Sequence, residues 1–177
     1  SAIGNQSTSE DTDKTINLSA SDVDIATNSQ TLAFSASSSN ESLVTVSTTT
    51  SGTSGTLTFD VQAEQNGTAA ITVTVTDSEG GTDNETFTLT VTAVNDNPIL
   101  SAIGNQSTSE DTDKTINLSA SDVDIATDGQ TLTFSVESNS NPSLVEVIST
   151  DINQTGSGSL LFNVQDDQHG TSTITVR

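Results

Sequence analysis

The sequence has no Cys, Met, Trp or Tyr, two Pro and a single His, His169. Without cysteine there is no disulfide framework, no thiolate nucleophile and no cysteine zinc site. One histidine excludes a multi-histidine metal cluster, and its place in a Gln/Asp/Gly segment reads as a solvated loop residue. Three basic side chains stand against 24 acidic ones, a net charge of −21. That balance argues against nucleic acid, whose phosphates demand a basic patch. No apolar run is long enough to cross a bilayer and nothing resembles a signal peptide, so membrane insertion is not expected within these residues. Any export signal or anchor is expected outside them. Apolar residues make up 30% and aromatics 3%. In their place, Ser and Thr supply about a third of the 177 residues, and Thr favours strands. The composition is that of an acidic, β-rich chain of a secreted type.

Residues 1–27 recur unchanged as 101–127, both reading SAIGNQSTSEDTDKTINLSASDVDIAT, so the chain is a tandem array. The match continues more loosely. Leu43-Val44 corresponds to Leu144-Val145, and Phe59, Gly67, Ile71 and Val73 correspond to Phe162, Gly170, Ile174 and Val176. On this alignment Arg177 falls opposite Thr74, and the second copy is expected to end before its last strand. Apolar residues alternate with Ser, Thr, Asn and Asp in Ile16-Leu18, Leu32-Phe34, Val44-Val46, Leu57-Phe59-Val61, Ile71-Val73-Val75 and Phe87-Leu89-Val91. Such period-2 runs, separated by Gly/Asn/Asp/Ser turns and preceded by an edge strand near Ile3 to Ser9, predict about seven strands per copy and no helix. The predicted fold is all-β: two immunoglobulin-like sandwiches over 1–98, with a linker at 94–98, and 99–177.

The segment TVTAVNDNP, residues 90–98, resembles the linker D-x-N-D-N-x-P of the cadherin-like repeats of large bacterial surface adhesins. In that family the end of one domain, the linker and the top of the next share calcium ions. The resemblance implies that Glu10, Glu64, Asn95, Asp96, Asn97, Asp122 and Asp124 are metal ligands. It also implies weaker half-sites at Asp22, Asp24 and Asp77 of copy one and at Glu110 and Asp167 of copy two. Ala93 replaces the linker's leading Asp, and the D-x-E motif is reduced to Gln62-Ala63-Glu64, which lowers the number of ions a junction would hold. The residues support the same chemistry. In an extended chain Asp122 and Asp124 aim two carboxylates at one point while Val123 turns into the core. Oxygen-only donors suit Ca²⁺. Without a cation, carboxylates about 5 Å apart repel by roughly 0.8 kcal/mol per pair even in water.

The resemblance therefore implies a non-catalytic spacer repeat of a bacterial extracellular adhesin, rigidified by calcium at the interdomain junction. Its partners would be neighbouring repeats of the same chain, with homophilic or glycan contacts besides. A calcium-dependent polysaccharide-binding module is the alternative, although all five Phe have inward parity and leave no aromatic platform for a sugar. The acidic motifs also read as ordinary Asp/Asn turns in a protein that is acidic for solubility. Asp166-Asp167, a carboxylate pair in a turn, offers little support for an enzyme.

Overall fold

The computed structural model describes residues 2–152 and 156–177, with side chains left aside for 149–152. The chain divides into two compact units, Ser1–Val94 and Asn95–Arg177. Unit 1 contains β1 (Gln6–Ser9), β2 (Lys14–Ser19), α1 (Ile25–Asn28), β3 (Leu32–Ser38), β4 (Val44–Ser51), β5 (Ser54–Val61), β6 (Gly67–Asp77) and β7 (Thr82–Thr92). They form two sheets, ordered β1-β7-β6-β3 and β2-β5-β4.

The alternation decides which face each strand buries. Leu57, Phe59 and Val61 of β5, Ala69, Ile71 and Val73 of β6, and Phe87, Leu89 and Val91 of β7 form one buried cluster. Phe59 from one sheet meets Phe87 from the other edge to face, with centroids 6.2 Å apart and planes at 90°. Such a pair adds about 0.5–1.5 kcal/mol beyond the area it buries. The β4–β5 hairpin turns at Gly52, whose φ of 63° suits a residue without Cβ. Gly55 has a different reason: a Cβ there would collide with the Thr49 carbonyl oxygen and sit 2.8 Å from the Phe34 ring. At the β6–β7 hairpin, Asp77 Oδ1 accepts hydrogen bonds from the N–H groups of Glu79 and Gly81, both at 2.8 Å. β7 lies between β6, antiparallel to it, and β1, parallel to it.

Unit 2 contains β8 (Ile99–Leu100), β9 (Lys114–Ser121), α2 (Asp124–Thr127), β10 (Val136–Asn139), β11 (Val145–Ile152), β12 (Ser157–Val164) and β13 (Ile174–Val176). The sheet β11-β12-β9-β8 repeats the arrangement β4-β5-β2, with β8 added at its edge beside Ala120 and Ser121. Among the described residues the facing sheet holds β10 and β13. Among the described residues no strand of unit 2 stands where β7 stands in unit 1. As a result residues 106–109 form no strand and are exposed, although their sequence is that of β1. Strand formation follows the available partner rather than the local sequence.

The all-β tandem sandwich agrees with the alternation, but three expectations change. Two four-residue helices, α1 and α2, occur where none was expected. Each starts at or just after the second Asp of a D-x-D pair in which the first Asp bends the chain: Asp22 Oδ1 accepts from the Asp24 N–H at 2.7 Å, and Asp122 Oδ1 from the Asp124 N–H at 3.0 Å. The segment is thus an Asx turn, and the middle valine leaves the core. Val23 is 86% exposed and Val123 46%. The third change is β8, a short strand that no alternation announces. Among the described residues no helix is long and apolar enough to cross a membrane.

Replacing Phe59 by Ala should lower the stability of unit 1 by about 3–5 kcal/mol, whereas Thr58→Ala on the outer face should cost under about 1 kcal/mol. Urea denaturation followed by far-UV circular dichroism separates the two, and equal midpoints would mean that the ring does not hold the sheets together.

Candidate functional site

Carboxylates gather where the β-ladders of unit 1 end. Glu10, directly after β1, is buried. Its Oε1 accepts a hydrogen bond from the Val94 N–H at 2.6 Å, and its own N–H donates to the Thr92 carbonyl at 3.0 Å. Asp11 stands in the left-handed region, φ 57°, and its Oδ1 accepts from the Glu64 N–H at 3.0 Å. Carboxylate oxygens of Asp11 and Glu64 lie within 4.8 Å of each other. Asp13 Oδ1 accepts from the Val61 N–H at 3.0 Å, so the β1–β2 and β5–β6 loops are pinned together by acidic side chains.

Unit 2 carries its own set. Asp124 is buried; its Oδ2 accepts from the Asp96 N–H at 2.7 Å and from Gln130 Nε2 at 3.3 Å. Gln130 Nε2 also donates to Asn95 Oδ1 at 3.0 Å, and Asn95 Nδ2 donates to the Asp96 carbonyl at 2.6 Å. Carboxylate oxygens of Asp124 and Asp128 lie within 4.8 Å of each other. Asp122 is held beside Asp124 through the turn described above. Within this unit the structure therefore brings together Asn95, Asp96, Asp122 and Asp124. Asn97 is exposed and takes no part in these hydrogen bonds.

The expected half-sites are arranged differently. Asp22 and Asp24 share their Asx turn, and Asp24 Oδ1 accepts from Thr27 Oγ1 at 3.2 Å, while Asp77 is occupied with the β6–β7 hairpin. In unit 2, Glu110 is exposed. Asp167 has φ 56° and donates its N–H to Asp111 Oδ1 at 2.8 Å, the counterpart of the Glu64–Asp11 contact. Asp113 likewise accepts from the Val164 N–H at 3.0 Å. Asp11, Asp13, Asp111, Asp113, Asp128 and Gln130 were not among the expected site residues. The repeated EDTD at 10–13 and 110–113, with carboxylates two residues apart beside the already suspected Glu10, was the available signal for four of them.

The two lysines point elsewhere. Lys14 Nζ donates to the Ser7 carbonyl at 2.8 Å and Lys114 Nζ to the Ser107 carbonyl at 2.9 Å. The hydrogen bonds given to Glu10 and Asp124 come from neutral amides, yet both carboxylates are removed from water, which is costly for an anion without a counter-charge. Oxygen donors alone, anionic and close together, fit a hard cation such as Ca²⁺, which takes six to eight oxygens, and suit soft or imidazole-seeking metals poorly.

A family model described as "Bacterial Ig domain" matches residues 1–90 and again 95–177. The chain belongs to the bacterial Ig domain family. Its two sandwiches are two copies of that domain. Among solved structures, similarity extends to domains 1–6 of the surface layer protein SbsC, with 16% identity over 97% of this chain and 21% of that one, TM-score 0.38. The Escherichia coli adhesin FdeC matches with 15% identity over 97% and 56%, TM-score 0.36. The protocadherin gamma B7 extracellular cadherin domains 1–4 match with 14% identity over 84% and 39%, TM-score 0.41. The bacterial Ig repeats thus span between about a fifth and just over half of those longer chains. No curated protein matches the chain.

Removing the acceptor at Asp13 tests whether acidic side chains hold the loops of a bacterial Ig repeat. Asp13→Ala should destabilise unit 1 by about 1.5–3 kcal/mol, the worth of a hydrogen bond to a charged group, and Asp13→Asn should retain most of it. Urea midpoints of the two variants give the comparison; identical losses would show that the charge matters and the hydrogen bond does not.

Proposed function

We propose that this bacterial Ig tandem is a non-catalytic spacer segment of an extracellular, cell-surface adhesin, and that Ca²⁺ at the junction of the two repeats stiffens it. The observation that carries this reading is a pair of buried carboxylates fastened to one short stretch of backbone. Glu10 holds the N–H of residue 94 and Asp124 holds that of residue 96, and neither has a basic side chain as its donor. The residues that would hold the ion are Glu10, Asp11 and Glu64 of unit 1 and Asn95, Asp96, Asn97, Asp122, Asp124 and Asp128 of unit 2. When bound, the ion supplies the positive charge that three basic residues do not. The chain's own contribution is to present oxygens from loops that Asp11, Asp13 and Asp122 have already bent and pinned.

A spacer also accounts for the rest of the molecule. Each unit buries its own apolar cluster, so length grows by adding repeats and each repeat contacts its neighbours alone. Phe59, Phe87, Phe134 and Phe162 are buried and Phe34 is half-buried, which favours the spacer over a glycan-stacking module. The outer half-sites, Asp22, Asp24 and Asp77 at one end and Glu110 and Asp167 at the other, would bind calcium weakly by themselves.

At ten times its dissociation constant, calcium adds about 1.4 kcal/mol per site, which for domains of this size corresponds to a rise in melting temperature of about 5–10 °C. Calorimetry with calcium and then with a chelator measures that rise, and small-angle scattering should show a narrower range of interdomain arrangements with the ion. Glu10→Gln and Asp124→Asn should each remove most of the calcium-dependent shift, while Asp60→Asn on an outer strand face should leave it intact. Identical melting and scattering with and without calcium would end the stiffening hypothesis.

A further inference from the structure

The chain has fourteen asparagines, and one of them, Asn66, is followed by glycine. The amide of an asparagine is open to attack by the backbone nitrogen of the next residue. A neighbour without Cβ obstructs that approach least and reaches the widest range of φ and ψ. Much of the fold withholds its other amides from this reaction. Asn17, Asn84, Asn117 and Asn163 lie inside strands, while Asn97 and Asn141 precede prolines, whose nitrogen carries no hydrogen. Asn66 stands in the β5–β6 connection, outside every helix and strand; it is half-exposed and the Gly67 after it is exposed. Gly67 opens β6 opposite Val91, and the end of a ladder is where a strand opens most readily.

Copy two shows that the loop does not need this asparagine. QAEQNGT at 62–68 aligns with QDDQHGT at 165–171, so His169 takes the place of Asn66 ahead of the same glycine. The two loops share one hydrogen-bonded frame. The N–H groups of Gln62 and Gln165 donate to the Leu43 and Leu144 carbonyls at 2.9 and 3.0 Å, and those of Gln65 and Gln168 donate to the Gln62 and Gln165 carbonyls at 3.3 Å. The Glu64 N–H donates to Asp11 Oδ1 and the Asp167 N–H to Asp111 Oδ1. Gly67 and Gly170 have φ of 131° and 146°. An imidazole has no amide with which to close the same ring. The repeats therefore present one backbone with and without the labile side chain.

We infer that Asn66 is a self-modification site, at which the chain converts its own amide to a carboxylate and loosens the loop that carries Glu64. The Gly67 nitrogen attacks Asn66 Cγ. The new N–Cγ bond closes a five-membered succinimide, and the side-chain nitrogen leaves as ammonia, taking up the proton that the glycine nitrogen loses. Water then opens the ring at one of its two carbonyl carbons. Opening at Cγ restores the ordinary backbone with an aspartate at 66, and opening at the main-chain carbonyl leaves an isoaspartyl linkage that runs through the side chain. Either product adds one negative charge to a chain already at −21, two residues from Glu64. The isoaspartyl form also lengthens the backbone by one methylene between two fixed points, the Glu64–Asp11 hydrogen bond and the Gly67↔Val91 rung. Both cannot keep their register, and the single hydrogen bond is the weaker of the two attachments. The reaction needs water alone and does not depend on an ion at Glu64.

The test incubates the intact 177-residue chain in mildly alkaline, ¹⁸O-labelled water and follows it by fragmentation mass spectrometry and by ammonia release. Label should enter at residue 66 first, at least about tenfold faster than at any other asparagine, because only there does glycine supply the attacking nitrogen. An isoaspartyl methyltransferase should methylate the aged chain at that position. The folded chain should convert within about tenfold of a free peptide of residues 62–70, as expected of a loop that opens at little cost. Asn66→His, which copies the second repeat, should abolish this early phase and leave the melting temperature unchanged. In the aged chain the Glu64 amide should exchange its hydrogen about tenfold faster and the Asp167 amide at its original rate. Earlier labelling at another asparagine, ammonia release by Asn66→His at the parent rate, or conversion of the peptide without conversion of the folded chain overturns the inference. So does isoaspartyl formation that leaves exchange at Glu64 unchanged, since the loop would then not have loosened.

Discussion

Twenty-four carboxylates share a chain with three basic side chains, and this imbalance governs most of what lies outside the apolar core. Deprived of cationic partners, the acids turn to backbone N–H groups, the strongest neutral donors within reach. Glu10 takes the N–H of Val94, Asp11 that of Glu64, Asp13 that of Val61, Asp77 those of Glu79 and Gly81, Asp122 that of Asp124, Glu85 that of Ile3 and Asp124 that of Asp96. Most of these donors lie where a strand ends and its ladder partner stops, so each acid completes a turn or loop that the sheet leaves unfinished. Neutral amides satisfy a carboxylate's hydrogen-bonding capacity but leave its charge in place. Where several such acids converge, the residual negative charge is a direct consequence of how the loops were built, and a divalent cation is the partner that both charge and donor type suit.

Much of the fold was legible because alternation needs no tertiary information. Leu57-Phe59-Val61 and Phe87-Leu89-Val91 can bury only one face each, and the Gly- and Asp-rich segments between such runs can serve only as turns. Of the residues that spacing and resemblance single out, the structure places Asn95, Asp96, Asp122 and Asp124 together within one unit and, in the other, sets Glu64 beside Asp11 and Glu10 against Val94. What escaped was set by single hydrogen bonds rather than by pattern. The residue pair Asp22 and Asp24 reads equally well as two positions of a strand or as an Asx turn. The N–H of Asp24 bonds to Asp22 Oδ1, which selects the turn, admits α1 and expels Val23. Asp11 and Asp13 escaped because their partners are 53 and 48 residues away, and a loop-to-loop clasp leaves no local signature beyond the repeated EDTD.

The identical 27-residue segments act as an internal control on how far local sequence determines structure. From residue 14 onward they give closely similar results: β2 and β9 both start at the Lys of KTINLS, and a four-residue helix begins just after SDVD in one copy and at its last Asp in the other. Before residue 14 they diverge, because QSTS becomes a strand beside β7 and remains irregular where no strand lies beside it. The difference reflects which backbone groups have a partner. A KTINLS strand pairs with β5 or β12, present in both units, whereas QSTS depends on a strand that unit 2 does not have among its described residues. Thr-rich segments of low hydrophobicity contribute little burial of their own and so follow their ladder partners.

β7 connects the core to the acidic end of the unit. The same strand that buries Phe87, Leu89 and Val91 in the core delivers the carbonyl of Thr92 to the Glu10 N–H and, two residues later, the chain delivers the N–H of Val94 to the Glu10 carboxylate. Glu110, alike in sequence but without such a strand, is exposed. Glu10 is thus tied to β7 through both its N–H and its carboxylate, and an ion held by Glu10 would bind better to the arrangement in which β7 is seated. Linkage makes that relation reciprocal: whatever strengthens the seating of β7 raises affinity at the acidic end, and an ion there opposes the loss of the strand by the same free energy. In a repeat without a disulfide, a cation held by Glu10 would through this coupling oppose fraying of β7.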